Sequence, residues 1–448
     1  MLSMKILVIL IAVICLKNRL VLGDAEANYC YAEDQNPYLR FATKTTYYFT
    51  HGLIKNTSVP NCEPVQIWML NRHGTRNPGK DEIISMLTKL PKLQHDVIEN
   101  HEHGSGSLCT HDVENLKNWK PDANLQENKA KYLTMQGEED LKSLGTRIKH
   151  YFPELIQTND PDDALKQKYE FVSTNTERTI KSMLYFVDGA FSDEFSGRMA
   201  LSPNINETLL KAYKTCKHWL DKSNSSSEEV QNFITGSEFK QVIHDVSERL
   251  GFPEDLPYED VLVMHTACVF EKAWYVNELS PWCAAFTTDN LKVFEYEEDL
   301  FYYYRTGYGR EVNTIIGCPP LQDMFARFTK LEKGDSNKEP LGIFYFSHSS
   351  SLQLLFTSMG ISKDSTPLKA SNFRSMGNRK WSTSRDATFA ANLAAVFYKC
   401  DSANKVRFYL NEKPLDYDGC ENGVCDWEYL KQKLGPIAYN CNLDFCKQ

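Results

Sequence analysis

Residues 66–80 read QIWMLNRHGTRNPGK. The stretch opens as an apolar run, Ile67 to Leu70, and within a few residues delivers Arg72, His73, Gly74 and Arg76. A short apolar run with turn residues after it is the pattern of a strand buried on both faces. Cations and an imidazole at its tip call for a reason, because charge is costly to bury unless it is paired or meets a ligand. Residues 341–356, LGIFYFSHSSSLQLLF, repeat the pattern with His348 at the end of the run. A third apolar segment, 169-YEFVS-173, leads into a helical pattern that starts near Glu177 and carries Arg178.

The intervening sequence supplies helices. Segment 81-DEIISMLTKLPKL-93 is amphipathic, and 134–152 has apolar residues at helical spacing. Between them, 95–112 reads as a solvated polar loop. Its four histidines and Cys109 match no standard zinc spacing, so no metal site and no cofactor are expected. Residues 195–335 lose the strand–helix rhythm and read as longer, aromatic-rich helices. The strand pattern returns at 342–346, and 393–399 with 405–412 reads as an edge hairpin. The expected fold is α/β: a mostly parallel sheet flanked by helices, with an inserted helical subdomain. The division follows as a signal peptide over 1–23, a first α/β part over 24–194, the helical insertion over 195–335, and a second α/β part over 336–448. In sheets of this kind ligands bind beyond the carboxyl ends of the strands. His73, Arg178 and His348 all fall at such ends.

Composition and charge narrow the function. The 448 residues are 42% hydrophobic and 24% charged, ordinary for a folded protein. Lys5 followed by the apolar run 6–16 has the form of a signal peptide, too short to span a bilayer. No membrane anchor is expected, and secretion to the extracellular space is. Cys15 falls in that segment, leaving 12 of the 13 cysteines for disulfides in an oxidising compartment. Local pairs suggest themselves: Cys268 with Cys283, Cys420 with Cys425, Cys441 with Cys446. Sequons at Asn56, Asn206 and Asn224 are glycosylation acceptors on the same route. Net charge is −9, and loss of 1–23 with Lys5, Lys17 and Arg19 makes it −12. Such a chain is a poor match for nucleic acid. It accommodates a small anionic substrate through a locally basic pocket.

Arg72 and Arg76 around His73 form an anion cradle. Guanidinium forks match phosphate oxygens in pairs, and neutral imidazole is a competent nucleophile toward phosphorus. Gly74 is expected to let the backbone pass close to the ligand. Pro78 suits the start of the next helix, whose N-terminus would favour the same anion.

The string 72-RHGTRNP-78 resembles the signature of the histidine acid phosphatase branch of the histidine phosphatase superfamily. Within that branch the chain is similar to the multiple inositol polyphosphate phosphatases, through 133-LTMQGEEDLKSLGTR-147, 279-LSPWCAAF-286, 306-TGYGREVN-313 and 410-LNEKPL-415. The resemblance implies a phosphoric monoester hydrolase in which His73 is phosphorylated. It implies that Arg72, Arg76 and Arg178 bind the phosphate and that His348 contacts it. No metal is required. The implied substrates are inositol hexakisphosphate and lower inositol phosphates, with 2,3-bisphosphoglycerate a further one. A polyphosphate needs more cations, and Arg379 and Lys380 are candidates for these contacts.

One departure stands out. Family members carry the proton-donating carboxyl just after the second histidine, as His-Asp or His-Ala-Glu. Here 347-SHSSSL-352 puts Ser349 and Ser350 at those places. Glu177 and Asp386 are alternative donors by position in the string. The competing reading is a secreted pseudophosphatase that binds a phosphorylated or other small ligand with little turnover.

Overall fold

The computed structural model describes residues 29–157, 162–223, 227–334 and 338–447. The signal segment and the Asn224 sequon lie outside these residues.

Strand β1 (Cys62–Arg72) runs through the sheet and into the motif. Helices α1 (Lys80–Glu102) and α2 (Met135–Tyr151) follow, then β2 (Tyr169–Ser173) and α3 (Glu177–Ala190). The middle of the chain contributes α4 (Ser237–Arg249), α5 (Tyr258–Trp274), α6 (Thr288–Arg305) and α7 (Cys318–Glu332). The sheet resumes with β3 (Gly342–Ser347), which leads into α8 (Ser349–Met359), then β4 (Asn392–Cys400) and β5 (Lys405–Leu410). The short β6 (Lys413–Pro414) and β7 (Val424–Asp426) precede α9 (Trp427–Ala438).

The sheet order is β2-β3-β1-β4-β5-β6, with β7 also on β5. The β2-β3-β1 half is parallel, as expected, and everything from β4 outward is antiparallel. The 393–399 segment is therefore not an edge: β4 pairs with β1 along most of its length. Its run from Asn392 to Tyr398 is buried throughout, which a strand covered on both faces and both edges requires.

Side-chain alternation along β1 explains the apolar run. Ile67 and Met69 face α2 and α3, beside Leu141, Leu144, Met183 and Phe186. Trp68 and Leu70 face the opposite layer, with Phe325 and Phe328 of α7, Leu352 and Phe356 of α8, and Trp427 of α9. A third cluster is the helical body. It cuts across the division drawn from sequence, joining Ile83, Met86, Leu90 and Val97 of α1 to residues of α4, α5 and α6. Meanwhile α7 covers the sheet. Helix α1 also overturns the polar-loop reading of 95–102: Leu93 and Val97 continue the buried stripe, so the helix runs on past Pro91 to Glu102.

Six disulfides join Cys30–Cys109, Cys62–Cys400, Cys216–Cys446, Cys268–Cys283, Cys318–Cys441 and Cys420–Cys425. Two of the three local pairs are present. Cys441 and Cys446 instead take separate distant partners, because the C-terminal turn lies along the 213–220 segment, with Phe445 and Leu443 beside Trp219. Cys109, in the histidine-bearing stretch, is committed to Cys30. No helix among the described residues is long and apolar enough to cross a membrane.

Candidate active site

Parallel register brings the motifs together. Arg72 is level with Ser347 across β1 and β3, and Ser173 is level with Phe346 across β2 and β3. The residues just past these levels, His73 and His348, are therefore neighbours, with ring centroids 5.6 Å apart and inclined at 68°. The ladder extends one step beyond the strands: the His73 N–H donates to the Ser347 carbonyl at 3.0 Å and the Thr174 N–H to Phe346 at 3.1 Å.

Hydrogen bonds assign both imidazoles. His73 Nδ1 lies 2.9 Å from the Gly74 carbonyl, which can only accept, so Nδ1 carries the proton and Nε2 the lone pair. The Arg178 guanidinium lies 3.3 Å from His348 Nδ1 and can only donate. The His348 proton therefore sits on Nε2, 3.1 Å from the Thr174 hydroxyl, which passes its own proton to Thr179. Burial, followed by the nearby Arg178, holds both histidines well below their ordinary pKa. The shift favours the neutral form of both rings.

The arginines are set by the protein rather than by acids. Arg72 donates Nη1 to the carbonyls of Thr43 and Ala387 and stacks on Phe389 at 4.5 Å. Arg76 donates to the Asn77 carbonyl at 2.6 Å and lies over Phe270. Burial pushes Arg72 down to about 9 and Arg178 to about 10, still cationic at neutral pH. The Nε groups of Arg72 and Arg178 are buried with no protein acceptor.

These groups line a cavity of about 340 Å³ together with Lys44, Lys131, Lys211, Lys214, Tyr213, Tyr302 and the Ser349–Ser350 turn. Seven lining side chains are cationic, and no carboxylate lines it among the described residues. Four lysines and two tyrosines went unnoticed in the sequence. They arrive on loops and helices, far from the motifs in sequence and without a pattern of their own. The segment 205–214 carries three of them, and a β-bridge from Ile205 to Ser173 brings it to the strand ends.

Several expected roles are placed elsewhere. Gly74 faces α2, not a ligand: a Cβ there would lie 2.4 Å from the Gly137 carbonyl. The helix whose first turn lines the cavity is α8, through Ser349 and Ser350, and not α1 after Pro78. The first-turn N–H groups of such a helix have no intrahelical partner and favour an anion. Arg379 and Lys380 line another cavity that shares no residue with this one, and Arg379 is bound to Asp299 at 2.6 Å and to Glu295. Asp386 lines that other cavity too, paired with Arg385 at 2.8 Å. Glu177 accepts from the Leu133 N–H at 2.9 Å and pairs with Lys181 at 3.1 Å.

Comparison with known proteins is consistent along the chain. The family model described as histidine phosphatase superfamily (branch 2) matches residues 65–411. Multiple inositol polyphosphate phosphatase 1 of Drosophila melanogaster is 32% identical over 437 residues, covering 94% of this chain and 91% of its own. The Homo sapiens protein of that name is 27% identical, covering 92% and 88%. Among solved structures, the phytase of D. castellii superposes with a TM-score of 0.69 at 18% identity, covering 93% of this chain and 91% of its own. The multiple inositol polyphosphate phosphatase of Bifidobacterium longum, in complex with inositol hexasulfate, gives 0.65 at 14%, covering 90% and 98%. The chain belongs to branch 2 of the histidine phosphatase superfamily and is a phosphoric monoester hydrolase of that family.

Proposed function

We propose that the protein hydrolyses inositol polyphosphates, inositol hexakisphosphate and lower forms among them, through a phosphohistidine at His73. The carrying observation is the cavity itself: an imidazole that presents its Nε2 lone pair, among seven cations and, among the described residues, no carboxylate. Arg72, Arg76 and Arg178 neutralise charge spreading over the oxygens of the transferring phosphoryl group. Nε2 attacks phosphorus, the ester oxygen leaves, and water then cleaves the P–N bond. His348, held by Arg178 and Thr174, fills the side of the cradle next to His73. Lys131 and Lys214 extend the positive field to phosphates that do not react, with Lys44 and Lys211 beside them paired to Glu298 and Glu207, which suits a polyphosphate better than a monoester. The same field admits 2,3-bisphosphoglycerate. Secretion fits six disulfides, and Asn56 and Asn206 are exposed for glycosylation.

A second reading rests on Ser349 and Ser350 in place of an acid: a binding protein with little turnover. Phosphate release from inositol hexakisphosphate decides between them. Multiple turnover by the wild type, lost in His73→Ala, with an acid-labile label on the His73 peptide, supports hydrolysis. Stoichiometric binding without release, and no label from an activated aryl phosphate, supports the binder.

A further inference from the structure

An inositol oxygen leaves as an alkoxide unless a proton reaches it while the P–O bond breaks. Among the described residues no carboxylate lines the cavity around His73 to supply that proton. Glu177 and Asp386 are engaged elsewhere. Glu298, next to the cavity wall, is bound by Lys44 at 2.6 Å and by Thr43. The three arginines are taken up with the oxygens of the transferring phosphoryl group. The proton of His73 is held by Gly74 and that of His348 by Thr174.

Two phenols line the cavity, Tyr302 from α6 and Tyr213; Tyr213 is the one carried by the segment fixed to the strand ends and to the start of α8, and its placement is specific. The Leu210 carbonyl accepts from Ser347 Oγ at 3.0 Å and from Ser351 Oγ at 2.7 Å, and the Asn206 N–H donates to Ser173 at 3.1 Å. With the Cys216–Cys446 disulfide, these bonds clamp the segment against the ends of β2, β3 and the start of α8. The Tyr213 ring is 4% exposed and packs edge-on against Trp219 at 5.2 Å. Tyr213 lines the cavity together with His73, His348, Ser349 and Ser350. Ser350 is one of the two places where related phosphatases carry the donor carboxyl. A phenol from a distant segment therefore reaches the corner that the missing carboxyl would occupy. Burial pushes this phenol up to about 12, so it retains a proton to give.

We propose that Tyr213 is the general acid of the reaction, reaching the cavity beside Ser350 in the first turn of α8. As His73 Nε2 bonds to phosphorus and the P–O bond breaks, the Tyr213 proton passes to the departing oxygen. In the second step water adds to phosphorus, the P–N bond breaks, and the water proton returns to the phenolate, whose charge the nearby Arg178 and Arg305 offset.

This inference rests on the hydrolase reading, and one experiment separates the two. Phosphate release from inositol hexakisphosphate and the nitrophenolate burst from p-nitrophenyl phosphate are measured for wild type, Tyr213→Phe, and Tyr213→Phe with Ser350→Glu. Tyr213→Phe is expected to slow the inositol substrate roughly 10²- to 10⁴-fold. The burst, whose leaving group needs no proton, stays near the wild-type rate. Adding Ser350→Glu restores release from the inositol substrate. Equal losses on both substrates without rescue would show a structural residue and overturn the assignment, as would an unchanged rate on the inositol substrate. A wild type that gives neither release nor burst removes the hydrolase reading itself, and the inference with it.

Discussion

The Gly74 carbonyl decides what His73 can do. By accepting the Nδ1 proton it presents the Nε2 lone pair, and burial, followed by the surrounding arginines, disfavours protonation of the ring. The sign is definite. A histidine whose pKa falls below 6.5 on folding stays neutral, and nucleophilic, under acid conditions where a free histidine would be charged. The acid limb of kcat/KM, which reports the free enzyme, should therefore lie below pH 6.5. A limb at or above 6.5 would contradict the electrostatics described here. The same shift lowers stability as pH falls below 6.5, because the unfolded chain then binds a proton that His73 and His348 do not.

At the level of elements, the site depends on how closely the RHG turn meets α2. Gly74 and Gly137 approach back to back, and a Cβ at Gly137 would lie 2.1 Å from the Thr75 carbonyl and 2.7 Å from Leu133. The same α2 turn presents Asp140, which accepts from the Thr75 N–H at 3.1 Å and from the Thr75 hydroxyl at 2.7 Å. Gly137→Ala should cost about 1–3 kcal/mol through overpacking. It should also lower kcat by displacing His73. Denaturant unfolding and phosphate release measured on one preparation would check this. A wild-type kcat would show that the turn position tolerates the shift. The opposite wall is α8, whose first turn follows directly from β3, so a strand register sets the position of a helix N-terminus.

At the scale of the whole molecule, the cavity lies where the strand ends meet segments from distant parts of the chain. Lys44 precedes β1, Lys131 precedes α2, and Tyr302 lies in α6. Lys211, Tyr213 and Lys214 come from the stretch tied to the C-terminus by Cys216–Cys446. Replacing both of these cysteines by serine should cost roughly 2–5 kcal/mol. Because it frees the segment that carries two lysines of the cavity, it should also raise KM for inositol hexakisphosphate. A stability loss with KM unchanged would mean that the bonds to Leu210 and Asn206 hold the segment without help from the disulfide.

What the sequence determined by itself is local and periodic. Short apolar runs in 65–70, 169–173 and 342–346 specify strands buried on both faces, and β2 spans the residues read for it, with α3 beginning at Glu177. The charged residues after each run come together on one rim, because topology places the strand ends there. The tertiary structure alone decided the rest. It buried Arg379 against Asp299, moved Asp386 to another cavity, and sent Cys441 and Cys446 to Cys318 and Cys216. It also brought Lys44, Lys131, Lys211, Tyr213, Lys214 and Tyr302 to the cradle. None of these has a local signature. Their positions follow from contacts between segments far apart in the chain, and neither hydrophobic periodicity nor residue spacing encodes such contacts.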